Sequence, residues 1–264
     1  MPTQLYNSEA VGLMATHFPR RNEPNYSWGN ILSIFMMQQN LRFLLPMSSV
    51  DERGSVYDVS GQGRIFTNNG STPFATDRGI IPYSYTNGTS RFLSRISEPG
   101  LIPTAAFSMM FWFYPTDITA TQYICGKYYT VGDNCDYFVK IRTSSVQFCA
   151  NGTGASGLDK VVNTSIKQLT LNEWNFIAVR FIPSTSISVW LNPNMPSYYD
   201  TNLLAIPAAI HADGTEPFNI FRSNRGSYCS AYSRCGIFGF YAAALTDTAI
   251  WATYQLSRPF YGVI

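Results

Sequence analysis

Two stretches decide the fold class: Phe107-Ser108-Met109-Met110-Phe111-Trp112-Phe113-Tyr114, and residues 174–182, which begin Trp174-Asn175-Phe176-Ile177-Ala178. In the first, Phe107, Met109, Phe111 and Phe113 recur at the two-residue period of a strand. In the second, Phe176, Ala178 and Arg180 oppose Asn175, Ile177, Val179 and Phe181. Both faces of each stretch are largely apolar, which predicts central strands buried on both sides.

Working outward, further short strands are predicted at 41–47, 64–67, 90–96, 122–127, 137–142, 145–150, 186–192, 218–221 and 235–243. They are rich in aromatic and β-branched residues, and Gly, Asn, Asp, Ser and Pro clusters separate them. Residues 55–63 read as a polar loop. Many short strands with frequent turns indicate an all-β sandwich or jelly roll. A closing helix follows, capped by Thr246 with Asp247 in its first turn and Ile250, Trp251, Tyr254 and Leu256 for packing.

Residues 1–40 differ in character, without sustained alternation up to residue 28. Asn30 is expected to cap a short helix that places Ile31, Ile34, Phe35 and Gln38 on one side, with Met36 and Met37 beside it. The division is therefore an N-terminal arm, 1–40, and a sandwich, 41–264. The arm is expected to lie along another surface, its own sandwich or a neighbouring subunit, and burial of Ile31, Ile34, Phe35, Met36 and Met37 against the particle or a sister subunit is the anchoring contact expected of it.

Composition narrows the function. Charged residues are 13% of the 264, against a usual share of about 25%. The net charge of +2 is too even for an electrostatic nucleic-acid binder. Sparse charge suits a subunit of an assembly, including a homo-oligomer. No run approaches the roughly 18 apolar residues of a membrane span, and the N-terminus lacks a signal-peptide pattern. The five cysteines (Cys125, Cys135, Cys149, Cys229 and Cys235) read first as free thiols, with Cys125–Cys135 or Cys229–Cys235 disulfides as the alternative.

Three motifs carry a resemblance. Residues 57–64, with Asp58, Ser60, Gly61 and Gly63, resemble a "D-x-S-G-x-G" loop. Residues 171–192 resemble a strand pair opening on "W-x-x-V/I-A" and closing on "V-x-V-N-G". Residues 243–250 resemble an "A-L-S-D-x-x-I" closing helix. In this order they are similar to the laminin-G-like, concanavalin A-like jelly-roll family over roughly residues 41–260. Pro193 departs from the pattern, where the family has glycine. Such domains resemble decoration, fibre or tail-associated proteins of tailed phages. The resemblance thus implies a virion structural protein with capsid or tail subunits as partners and release in the particle.

Among chemistries, glycoside hydrolysis needs two carboxylates across a groove, and neither central strand carries an acid, so no enzyme is expected. His17 and His211 fall in the arm and in a loop, which disfavours a general base. Calcium would use Asp133, Asn134 and Asp136, with Asp58 as a further oxygen source. No other cofactor is implied. Tyr128, Tyr129, Tyr198, Tyr199, Tyr228 and Tyr232, together with Arg225, suit either a glycan platform or a subunit contact. Arg222 and Arg234 beside Tyr228 and Tyr232 favour the contact, as do 14 arginines against four lysines. The leading expectation is a non-catalytic virion protein. A glycan-binding adhesin for host-surface polysaccharide is the alternative, and a glycosidase the second.

Overall fold

The computed structural model describes residues 28–38, 40–48, 55–77, 81–103, 105–128, 135–153, 160–211, 216–223 and 226–263. Among them are sixteen strands. The first eight are β1 (Leu41–Leu45), β2 (Val56–Tyr57), β3 (Ile65–Asn69), β4 (Phe74–Asp77), β5 (Ile81–Tyr85), β6 (Phe92–Arg95), β7 (Phe107–Tyr114) and β8 (Gln122–Tyr128). The others are β9 (Cys135–Arg142), β10 (Ser145–Ala150), β11 (Lys160–Asn163), β12 (Asn175–Ile182), β13 (Ser186–Leu191), β14 (Asp200–Asn202), β15 (Phe218–Ile220) and β16 (Arg234–Tyr241). Two helices join them, α1 (Trp28–Met36) and α2 (Asp247–Ser257).

The strands form two antiparallel sheets. One runs β14-β13-β12-β7-β16-β5-β4, with β1 also paired to β16; the other runs β11-β10-β9-β8-β15-β6-β3-β2. The two stretches that decided the fold class lie side by side in the first sheet, Phe107 opposite Phe181 and Phe113 opposite Asn175. Phe107, Met109, Phe111 and Phe113 point between the sheets. There Phe107 stacks on Phe240 at 5.5 Å and Phe111 on Phe238 at 4.9 Å, and Tyr137 and Phe148 of the second sheet close over Phe107.

The opposite face of the first sheet is apolar because the helices cover it. Met110, Trp112, Phe176, Ala178 and Trp190 form a second core with Ile31, Ile34 and Phe35 of α1 and Ile250, Tyr254 and Leu256 of α2. Thr246 caps α2 by accepting from the Ala249 amide at 3.1 Å, and Trp112 donates to the Ser257 hydroxyl at 3.0 Å. Asp247 pairs with Arg180 of β12 at 2.7 Å, fixing the helix start to the sheet.

Several expectations change. Asn30 lies inside α1, which begins at Trp28, so it is no cap. Ile31, Ile34 and Phe35 are at most 3% exposed against their own sandwich, so they do not form an anchoring face; Met36 and Met37 remain exposed at 48% and 41%. The helix therefore packs on the chain's own sheet; residues 1–27 of the expected arm lie outside the described residues. The 55–63 loop contains the short strand β2, and β4, β5, β11 and β14 were not predicted. β14 is Asp-Thr-Asn, a turn composition made a strand by pairing with β13. β5 carries Pro82, whose missing N–H is tolerated because β5 meets β16 only at Ser84 and Tyr85.

Candidate functional site

Beyond the helices, the outer face of the first sheet carries a row of aromatic rings where β5, β16 and β7 meet. Tyr83 and Tyr85 alternate on β5 and lie 6.0 Å apart. Tyr85 stacks on Tyr232 at 6.3 Å, Tyr83 meets Trp174 edge-on at 6.1 Å, and Trp174 meets Tyr114 at 5.6 Å. Arg234 is paired in register with both Tyr85 and Tyr114. Its guanidinium lies over the rings of Tyr114 at 4.3 Å and Tyr83 at 4.8 Å.

The inner end of the row is fixed. Trp174 donates its indole N–H to Asp77 at 2.9 Å and packs on Tyr261 at 4.9 Å. Tyr261 stacks on Trp112 at 4.3 Å, and its hydroxyl accepts the Ile237 amide at 3.0 Å. That hydroxyl enters the β-bulge of β16, where a side chain at Gly236 would begin 2.5 Å from it. Burial pushes the Tyr261 hydroxyl far above the ordinary tyrosine range, so it stays protonated.

The outer end is Tyr232, 67% exposed and in the left-handed backbone region at φ +66°. A bulky residue there is costly, about 1–3 kcal/mol, and persists only where neighbours enforce it. They do so here. The Tyr232 amide donates to the Thr86 carbonyl at 2.7 Å, and the Thr86 amide to that of Ser233 at 3.2 Å. Thr116 donates to the Ala231 carbonyl at 2.7 Å, and the Ser230 amide to Gln122 at 2.8 Å. The ring is thus exposed yet held on a rigid loop.

The other sequence candidates are placed differently. Tyr128 is buried with Phe138 and Cys149 and offers no ring face. Tyr228 packs edge-on to Phe92 at 6.2 Å, with the Arg222 guanidinium over both rings. Tyr198 and Tyr199 line a shallow depression with Ile166, Lys167 and Asp200, 160 Å³ with its open solvent included. Its polar groups are already engaged: Tyr198 donates to the Ile166 carbonyl at 3.3 Å, and Asp200 accepts the Ser165 amide at 2.9 Å. Tyr129 and Arg225 lie outside the described residues. Of the five described tyrosines among these candidates, only Tyr232 joins the exposed row. Tyr83, Tyr85, Tyr114 and Trp174 were missed as site residues; the i, i+2 tyrosines of β5 were the available signal.

The calcium expectation is corrected at Asp136, whose carboxylate is buried between Lys127 Nζ at 3.4 Å and His211 Nδ1 at 3.0 Å. Burial raises its pKa, against the opposing pull of His211 and Lys127. A buried carboxylate held between a lysine and a histidine does not present itself to a metal. Asp133 and Asn134 lie outside the described residues, among which no metal-ligating group of three occurs. Asp58 is likewise occupied, accepting the Leu44 and Ser60 amides at 2.7 and 2.8 Å. Asn192 takes the left-handed turn position before Pro193, at φ +43°, and its side chain holds the Phe176 amide at 2.7 Å. Cys125, Cys149, Cys229 and Cys235 are buried free thiols, and burial pushes Cys125, Cys229 and Cys235 well above the usual thiol range.

No family model and no curated protein sequence matches the chain. Solved structures do match. The binding domain of Paraclostridial Mosquitocidal Protein 1 is similar with a TM-score of 0.62 and 13% identity, over 81% of this chain and 52% of that one. The ligand-binding domain of botulinum neurotoxin serotype D, solved with N-acetylneuraminic acid, has a TM-score of 0.64 and 10% identity, over 86% and 52%. The fold is a jelly-roll β-sandwich. The serotype G binding domain agrees, with a TM-score of 0.63 and 14% identity over 83% and 51%. The chain spans about half the length of these structures, and at such identities the likeness is one of fold.

Proposed function

We propose that the chain is a non-catalytic glycan-binding module, and that Tyr232 and Tyr85 form its platform. The observation that carries this is an exposed tyrosine held in an unfavourable backbone conformation and stacked on a second ring. A sugar ring has an apolar C–H face that packs on an aromatic face, while the phenol hydroxyls stay available to its rim. The structural neighbours support the choice, being binding domains, one of them solved with a sugar acid.

Attachment to a virus particle through α1 is less well supported, because Ile31, Ile34 and Phe35 already fill their own core. Met36 and Met37 are already more than half covered, at 48% and 41% exposed, so covering the rest adds about half of the roughly 1.5–3 kcal/mol each that burying an exposed side chain supplies. Association itself costs roughly 4–15 kcal/mol. Two methionines do not hold a subunit in place.

The test is an array of host-surface polysaccharides and oligosaccharides probed with the parent chain and with Tyr232→Ala. Binding by the parent and its loss in a folded variant are expected. Equal binding by both would remove Tyr232 from the site, and no binding by the parent would end the reading.

A further inference from the structure

Two arginines on the outer face of the first sheet sit on aromatic rings, and only one is neutralised. Arg180 lies 4.8 Å over the Trp190 ring, and its charge is paired: Nη1 meets Asp247 at 2.7 Å and the Leu245 carbonyl at 2.8 Å. Arg234 lies between Tyr83 and Tyr114, half-buried, with no ion pair and no side-chain hydrogen bond among the described residues. Asp77, the acid on edge strand β4 beyond β5, is bonded to the Trp174 indole. The sheet thus holds a guanidinium by its faces and leaves its N–H edge unspent, one strand from the Tyr232–Tyr85 platform. A stacked guanidinium loses little further freedom on binding, and its fork of donors matches an oxyanion.

We propose that Arg234 makes this site selective for acidic saccharides, with a carboxylate or sulfate ester on its guanidinium while the sugar ring lies on Tyr85 and Tyr232. This rests on the glycan-binding reading of the same site. The shared chemistry is an oxyanion on a sugar; which of the two anions is preferred is read from separate arms of one experiment.

Calorimetric titration of the full chain would use hyaluronan octasaccharide for the carboxylate arm and a keratan sulfate oligosaccharide for the sulfate arm. Carboxyl-reduced hyaluronan and desulfated keratan are the matched neutral probes. The parent should bind at least one acidic probe about tenfold or more tightly than its neutral match, the scale of one charge-assisted contact. Arg234→Gln should remove that difference and keep the residual neutral affinity, while Arg234→Lys should retain part of it. Tyr232→Ala should weaken acidic and neutral probes alike. Neutral binding that depends on Tyr232 with no acidic preference, or a preference that survives Arg234→Gln in a chain with the parent's melting temperature, would overturn the inference alone. Should Arg234→Gln not fold, a reduced acidic preference in Arg234→Lys supports the inference and an undiminished one overturns it. Failure of every probe to bind the parent would overturn both this inference and the glycan reading.

Discussion

Truncating Phe35 to alanine would remove a fully buried ring from the core that α1 and α2 build on the first sheet. Its carbonyl accepts the buried Tyr241 hydroxyl at 3.1 Å, so loosening the helix also strands a polar group. Phe→Ala changes in well-packed cores cost about 3–5 kcal/mol, through lost transfer energy and the cavity left behind. Against a total stability of roughly 5–15 kcal/mol, that is a large fraction. At about 2–4 °C per kcal/mol for a domain of this size, the melting temperature should fall by roughly 6–20 °C. Urea titration followed by tryptophan fluorescence reads the same loss as a lower midpoint with an unchanged slope. Met36→Ala, one residue on and exposed, is the control and should stay within about 0.5 kcal/mol of the parent. If Phe35→Ala and Met36→Ala unfolded together at the parent's midpoint, α1 would not be part of the domain, and the anchoring role would regain its residues.

Asp136→Asn should destabilise by about 3–5 kcal/mol, because it leaves Lys127 buried without its anionic partner; denaturant titration measures this, and a loss under 1 kcal/mol would show the pair to be dispensable. For Glu98, burial raises the pKa but hydrogen bonds and charges from Arg95 and Arg64 together hold it below the ordinary value of 4.5. Its contribution is therefore present above the unfolded-state pKa and lost as pH falls through the folded one, so Glu98→Gln should flatten the acid limb of a stability–pH curve and leave its slope near neutrality unchanged. At most one thiol, that of Cys135, should react quickly with a thiol reagent in the native chain, and all five should react in urea; rapid reaction of two or more would contradict the burial of the other four.

The segments that read most clearly were those whose physics is local. β7 and β10 have the predicted bounds, because each holds several apolar or aromatic residues and neither Gly nor Pro interrupts it. The Thr246 cap was legible for the same reason, since it needs only residues three apart. β4, β5 and β14 were not, because Thr-Asp, Pro82 and Asp-Thr-Asn carry turn chemistry that pairing within the sheet overrides. Helix α1 was recognised, but the choice between its own sandwich and a neighbouring subunit fell on the neighbour: a stripe of Ile31, Ile34 and Phe35 states that something must cover it, never what. The same gap hid most of the candidate site. Tyr232 stood out as one exposed tyrosine among several, whereas its backbone strain and its stacking on Tyr85, about 150 residues earlier in the chain, exist only in three dimensions. Arg234 was visible as an arginine beside tyrosines, but its lack of an acidic partner depends on which strands flank it.

The most direct measurement is a crystal structure of the chain with the tightest-binding oligosaccharide from the array. A sugar ring packed face-on against Tyr232 and Tyr85, in van der Waals contact with both, is the predicted result. Density for the sugar at the Tyr198–Tyr199 depression or beside Tyr228, with the Tyr232 ring bare, would contradict it.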